Sequence, residues 1–92
     1  MKICFVIPTY NDEVSLKKLI KNIKNEFKNF NLNFMIIDDC SKDKFRSLKN
    51  FSKLNLVSLK HNVGSQKAIA VGLNHIFCSK LDFDYLVVMD SD

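Results

Sequence analysis

Residues 85–92 read Tyr-Leu-Val-Val-Met-Asp-Ser-Asp. A continuous apolar run of this length predicts a strand covered on both faces, as in a parallel sheet. Three upstream stretches repeat the pattern. Residues 3–7 (Ile-Cys-Phe-Val-Ile) are closed by Pro8, residues 34–37 (Phe-Met-Ile-Ile) by Asp38 and Asp39, and a weaker run covers 54–59. Between the runs the period becomes helical. Leu16, Leu19/Ile20, Ile23, Phe27 and Phe30 recur at steps of three and four, while Lys17, Lys18, Lys21, Lys24 and Lys28 take the other faces. Asn11 is the expected N-cap, with Asp12 and Glu13 in the first turn at the positive end of the helix dipole. A short helix is expected over about 43–51, with Phe45, Leu48 and Phe51 inward and Ser41 or Asp43 capping. A third is expected over about 65–78, apolar at Ala68/Ile69, Gly72/Leu73 and Ile76/Phe77.

The order is β-α-β-α-β-α-β. Crossovers of this length join parallel strands. The fold class is α/β: a three-layer, Rossmann-like arrangement of four mainly parallel strands and three helices, the front of a doubly wound sheet. With strand order 3-2-1-4 the fourth strand is an exposed edge, open to association.

Composition narrows the classes of function. The chain has 92 residues (10.7 kDa), with 47% hydrophobic and 26% charged, two Gly and one Pro, which excludes disordered, collagen-like and low-complexity proteins. One domain, 1–92, is all this length supports. The net charge is +4, but thirteen of the fourteen cations are Lys, scattered singly or in pairs. That predicts a solvated basic surface and no nucleic-acid partner. Cys4, Cys40 and Cys78 form no C-x-x-C pair and have no His at ligand spacing, as expected of thiols in a reducing cytosol. The longest apolar runs fall far short of the roughly 20 residues that span a bilayer.

Ligands of such sheets sit outside the carboxyl ends of the strands. The polar clusters of this chain fall there: 8–13 after strand one, 38–41 after strand two, 60–67 after strand three and 90–92 after strand four. Carboxylates crowded on one rim need a cation or a donor-rich ligand to offset their repulsion. Asp90 and Asp92 are two apart, so in extended chain they point the same way and suit a hard divalent ion that takes the rest of its shell from water and phosphate. Asp38 and Asp39 fit either simple turn chemistry, with Asp39 as a helix cap, or acceptance from a nucleobase N–H or ribose hydroxyl. Gly64 either eases a turn or admits a close backbone approach, and the amides of Ser65, Gln66 and Lys67 behind it form an anion site. Lys67 is either a phosphate contact or solvated. Gly72, costly inside a helix, predicts close helix–strand packing. His61 reads as a loop residue. Tyr10 is either core or the flank of a planar base.

Residues 6–13 (Val-Ile-Pro-Thr-Tyr-Asn-Asp-Glu), 37–41 (Ile-Asp-Asp-Cys-Ser), Asn62-Val63-Gly64 with Ala68 and Gly72, and 88–92 (Val-Met-Asp-Ser-Asp) together resemble the family-2 glycosyltransferases of GT-A fold. The resemblance covers the whole chain and rests on the ordered set of motifs. It implies the nucleotide-sugar-binding N-terminal part of a GT-A domain, with the acceptor half and the general base expected beyond residue 92. Pro8, Thr9 and Tyr10 would wall the nucleotide, with Asp12 or Glu13 near base or ribose. Asp39 would read the base edge, with Asp38 supporting. Asp90 would approach the ribose or a metal-bound water and serve with Asp92 at an Mg²⁺ or Mn²⁺ that bridges the phosphates. The Asn62, Gly64 and Lys67 segment is similar to that of polyprenyl-phosphate hexosyltransferases. Cys40 stands where small residues, often Gly, are usual.

The implied activity is inverting transfer from a UDP- or GDP-linked sugar to a glycan or polyprenyl-phosphate acceptor, in the cytoplasm or at the cytoplasmic face of a membrane. The 92-residue chain alone is expected to fold marginally and not to turn over. Three other readings stay open. A receiver-like phosphoacceptor domain also has an Asp pair, but there the pair follows the first strand. A non-catalytic nucleotide-binding module would bind without metal. A basic interaction domain would bind nucleic acid with steep salt dependence.

Overall fold

The computed structural model describes residues 1–42, 51 and 53–91. Four strands form one parallel sheet: β1 (Lys2–Thr9), β2 (Asn31–Asp38), β3 (Leu54–Ser58) and β4 (Tyr85–Val88), in the order β3-β2-β1-β4. Helix α1 (Glu13–Glu26) joins β1 to β2, and α2 (Ser65–Ser79) joins β3 to β4. The expected strand order and parallel pairing are therefore found. The short helix expected over about 43–51 lies outside the described residues, apart from half-buried Phe51, whose ring takes Lys24 Nζ at 4.7 Å from its centroid.

Strand alternation divides the core. Ile3, Phe5, Ile7, Phe34 and Ile36 meet Leu16, Ile20 and Ile23 of α1 on one face. Cys4, Val6, Met35 and Ile37 meet Ala68 and Ile76 of α2 on the other. Both central strands are thus covered twice, which is why their sequences are apolar without alternation. Each fully buried Ile, Leu or Phe here contributes about 1.5–3 kcal/mol. Phe5 stacks on Phe34 with ring centroids 5.5 Å apart. Behind α2, Gly72 is buried where a Cβ would lie 2.4 Å from Ile37 Cδ1 and 3.1 Å from Val6 Cγ1, so the expected close packing is found.

Local details differ from the sequence expectations. The N-cap of α1 is Asp12, whose Oδ1 accepts the Ser15 amide at 3.1 Å. Asn11 instead takes the left-handed region (φ 52°), and its Oδ1 accepts the Lys42 amide at 2.8 Å. Asn tolerates that conformation better than most residues, which explains the exchange of roles. Phe30 lies beyond α1 in the turn before β2, where its ring meets Phe27 at 5.6 Å. At the N-terminal end of β4, Asp84 Oδ2 accepts the Lys2 amide at 2.7 Å and Lys2 O accepts the Asp84 amide at 2.8 Å. The adjacent Asp82 carboxylate holds the Lys2 ammonium above its ordinary pKa, chiefly through their hydrogen bond and then by charge attraction.

Candidate functional site

Pro8 does not close β1. The β1–β2 register continues through Pro8↔Ile37 to Thr9↔Asp38. What Pro8 closes is the ladder to β4. In a parallel strand the amide and carbonyl of one residue face the same neighbour, and successive residues alternate between neighbours. Val6 O accepts the Met89 amide at 3.0 Å, on the β4 side, while Thr9 O accepts the Asp39 amide at 2.9 Å, on the β2 side. The next donor toward β4 would be the amide of residue 8, and proline has none. The β1–β4 pairing accordingly ends at Val6↔Val88.

A cavity of about 280 Å³ opens where the strands part. Pro8, Thr9 and Tyr10 line it from β1, Asp12 from the cap of α1, Asp39 from the end of β2, Ser65 from the start of α2, and Asp90 and Ser91 from the end of β4. It lies between β1 and β4, where one connection leaves for the α1 face and the other arrives from the α2 face. Ligands of open α/β sheets gather at such a switch point. Tyr10 stands at its rim, 48% exposed, and is not core.

Two features suit an anionic ligand. Thr9 is 3% exposed, and its Oγ1 is a buried hydroxyl with no hydrogen-bond partner among the described residues. Such a group calls for an explanation. At the start of α2 the N-cap is Gly64, which supplies no side-chain cap, so the amides of Ser65, Gln66 and Lys67 are left as the uncapped donors of the helix. Gly64 itself sits at φ 91° with open space where a Cβ would point, so backbone conformation, not crowding, selects glycine there.

The remaining expected site residues do not line the cavity. Asp38 is 4% exposed, and its Oδ1 accepts both the amide (3.0 Å) and the hydroxyl of Ser41, building the turn after β2. Cys40 occupies that turn at φ 66°, which is why small residues suit the position. Asn62 donates from Nδ2 to Asp39 O at 3.2 Å. Glu13 opens α1, Lys67 is exposed on the first turn of α2, and His61 is exposed in the loop before it. Asp92 lies outside the described residues. Ser91, 8% exposed, was not among the expected site residues. Its only signal in the sequence was its place between two aspartates.

The donor set bears on a metal. Among the described residues no group of three His, Cys, Asp or Glu side chains could hold one alone. Asp12 is engaged in capping α1, and both Asp39 oxygens are engaged with backbone amides. Exposed Asp90 is left as the cavity's available carboxylate, which fits an ion that draws most of its shell from phosphate and water.

Comparison with known proteins agrees with this geometry. The chain is 29% identical over 97 residues to the putative glycosyltransferase CsbB of Bacillus subtilis, covering 98% of this chain and 28% of that protein. It is 28% identical to the dolichol-phosphate mannosyltransferase of Pyrococcus furiosus, covering all of this chain and 26% of the relative. The chain thus spans little more than a quarter of the length of these relatives. The crystal structure of Staphylococcus aureus TarS 1-349 in complex with UDP-GlcNAc superposes with a TM-score of 0.73 at 25% identity, over all of this chain and 27% of that one. A Pyrobaculum calidifontis mannosyltransferase in complex with GDP-Man and Mn²⁺ shares the fold, with a TM-score of 0.72 at 20% identity over 98% of this chain and 27% of that one. The family description "Glycosyl transferase family 2" matches residues 4–92. On that match, and on a parallel sheet that opens at its switch point, the chain belongs to glycosyl transferase family 2.

Proposed function

We propose that this chain forms the donor-binding part of an inverting glycosyltransferase, holding a nucleoside-diphosphate sugar in the cleft between β1 and β4. The observation that carries the reading is one cavity lined both by Thr9, whose hydroxyl is buried without a partner among the described residues, and by Ser65 at the uncapped start of α2. Hydroxyl and helix amides are the donors a diphosphate accepts. The TarS structure is a complex with UDP-GlcNAc, which supports a UDP- or GDP-linked sugar as the ligand.

In this reading Pro8 and Tyr10 wall the nucleotide and Thr9 donates to it. The amides of Ser65, Gln66 and Lys67 face the phosphates. As the bond between the anomeric carbon and the diphosphate breaks, the leaving group gains negative charge, and donors already aimed there stabilise it more than the ground state. Inversion needs a single displacement, in which an acceptor hydroxyl attacks the opposite face and gives its proton to a carboxylate base. Asp90, with Asp92 beyond the described residues, would hold an Mg²⁺ or Mn²⁺. When bound, that ion supplies Lewis-acid stabilisation of the departing phosphate. The acceptor is a glycan or a polyprenyl phosphate, and the name of the Pyrococcus relative supports the second.

Calorimetry of the folded chain with UDP-GlcNAc and GDP-mannose tests the reading. Binding should strengthen with Mn²⁺ and weaken in Thr9→Val and in Asp90→Asn. A folded chain that binds neither compound would overturn it. Binding indifferent to Mn²⁺ would favour a non-catalytic nucleotide module.

A further inference from the structure

Tyr10, at the rim of the cavity, stands on a backbone that is tied down on both sides. Before it, Thr9 O accepts the Asp39 amide at 2.9 Å, and after it the Asn11 amide donates to Ser41 Oγ at 2.8 Å. Asn11 Oδ1 accepts the Lys42 amide at 2.8 Å, a further bond between the same two turns. The Ser41 hydroxyl donates in turn to Asp38 Oδ1, which also accepts the Ser41 amide at 3.0 Å. The turn after β1 is thereby latched to the turn after β2. The Tyr10 ring meets no other aromatic ring among the described residues, and the residue is 48% exposed. A held backbone beneath a free ring suits a preorganised platform for a flat ligand.

The latch has a direction. An ionised carboxylate only accepts, so the Ser41 proton points to Asp38 and the lone pairs of Oγ are left for the Asn11 amide. A bond to a charged acceptor is the stronger kind, and Asp38 is buried, which fixes that anchor in the protein. Asn11 needs the support. It stands in the left-handed region at φ 52°, facing Cys40 at φ 66° in the partner turn, a conformation that persists when its surroundings hold it. We infer that Ser41, acting through Asn11, is a positioning residue that presents the Tyr10 ring to the base of a bound nucleotide. Its effect falls on the nucleoside part of the ligand and not on the phosphates. This role rests on the nucleotide-sugar reading of the cavity.

The test measures UDP, GDP and inorganic pyrophosphate by calorimetry in wild type, Ser41→Ala, Tyr10→Ala and the double variant, with urea denaturation to confirm folding. Ser41→Ala should weaken UDP and GDP by roughly three- to tenfold and move pyrophosphate by less than about twofold. In the Tyr10→Ala background the same change should move UDP and GDP by less than about twofold, because the ring it positions is gone. Equal losses for all three ligands, or an undiminished loss in the Tyr10→Ala background, would overturn the inference. So would a Tyr10→Ala chain that binds both nucleotides as tightly as wild type. Should Ser41→Ala fail to fold, Asn11→Gly keeps the left-handed backbone and removes the bond to the Lys42 amide. It should weaken UDP and GDP by a smaller factor, and an equal loss of pyrophosphate would count against the role. A wild-type chain that binds none of the three sinks the nucleotide reading itself. The latch is then read from amide hydrogen exchange: faster exchange at Asn11 in Ser41→Ala supports it, and unchanged exchange refutes it.

Discussion

Gly72 of α2 lies so close to Ile37 of β2 that an added Cβ would stand 2.4 Å from Ile37 Cδ1. Replacing Gly72 by Ala gains about 1 kcal/mol of helix propensity. Overpacking a buried site costs about 1–3 kcal/mol. The expected balance is a loss of about 1 kcal/mol, read as a lower urea midpoint. Ile37→Val removes the offending methyl, so Gly72→Ala combined with Ile37→Val should lose less than the two single changes added together. Additive losses in that cycle would show that the contact is not limiting.

Thr9→Val should separate stability from ligand binding. Its hydroxyl is buried without a partner among the described residues, a state that costs about 1–3 kcal/mol, and Val fills the same shape without it. The variant should therefore unfold at equal or higher denaturant than the wild type while binding UDP-GlcNAc more weakly. A destabilised Thr9→Val chain would show that the hydroxyl has a protein partner in solution.

Asp12 and Asn11 should respond unequally to substitution. Asp12→Ala removes the cap of α1 and should cost about 1 kcal/mol, whereas Asp12→Ser restores an acceptor and most of the stability. Asn11→Gly keeps the left-handed backbone and loses only the bond to the Lys42 amide, so its cost should be smaller than that of Asp12→Ala. Urea denaturation of the three variants decides the order.

The three thiols should react in order of exposure. Cys78 is exposed, Cys40 half-buried and Cys4 fully buried. Burial pushes the Cys4 thiol above its ordinary value of 9.0, so the native chain keeps a proton that the unfolded chain releases. The stability owed to this difference is complete below pH 9 and is lost as pH rises above it. Thiol labelling should therefore modify Cys78 first and Cys40 next, reaching Cys4 only on unfolding. The urea midpoint should fall more steeply above pH 9 in wild type than in Cys4→Ala.

What the sequence revealed was whatever local pattern encodes. Apolar runs located β1 and β2 because both faces of these central strands are covered. The run at β4 also marked a strand, but an edge strand with Tyr85 and Val88 exposed, not the doubly covered one expected. The spacing from Ser65 through Gly72 to Ile76 located α2 with its close-packed glycine. Strand order and the position of the cleft followed from topology. Local pattern could not show that Pro8 stays within β1, since its missing amide matters only toward β4 and nothing adjacent in sequence names that neighbour. The backbone partners of Asp39 were hidden for the same reason. Val63 and Gly64 are 24 and 25 residues away, brought beside it only by the pairing of β2 with β3. Asn11 and Asp12 exchanged roles because both residue types cap helices, and only the left-handed turn at Asn11 decided between them.

The imino acid at position 8 has an even-odd consequence. Moved one step, to 7 or 9, a proline would withhold its hydrogen from β2 and loosen the central seam of the sheet, leaving the boundary with β4 intact. Moved two steps, to 6, it would unzip that boundary deeper into the core and drain apolar contacts from Val88. Position 8 is the place where a missing proton parts the right pair of strands, and at a depth that leaves the hydrophobic layers closed.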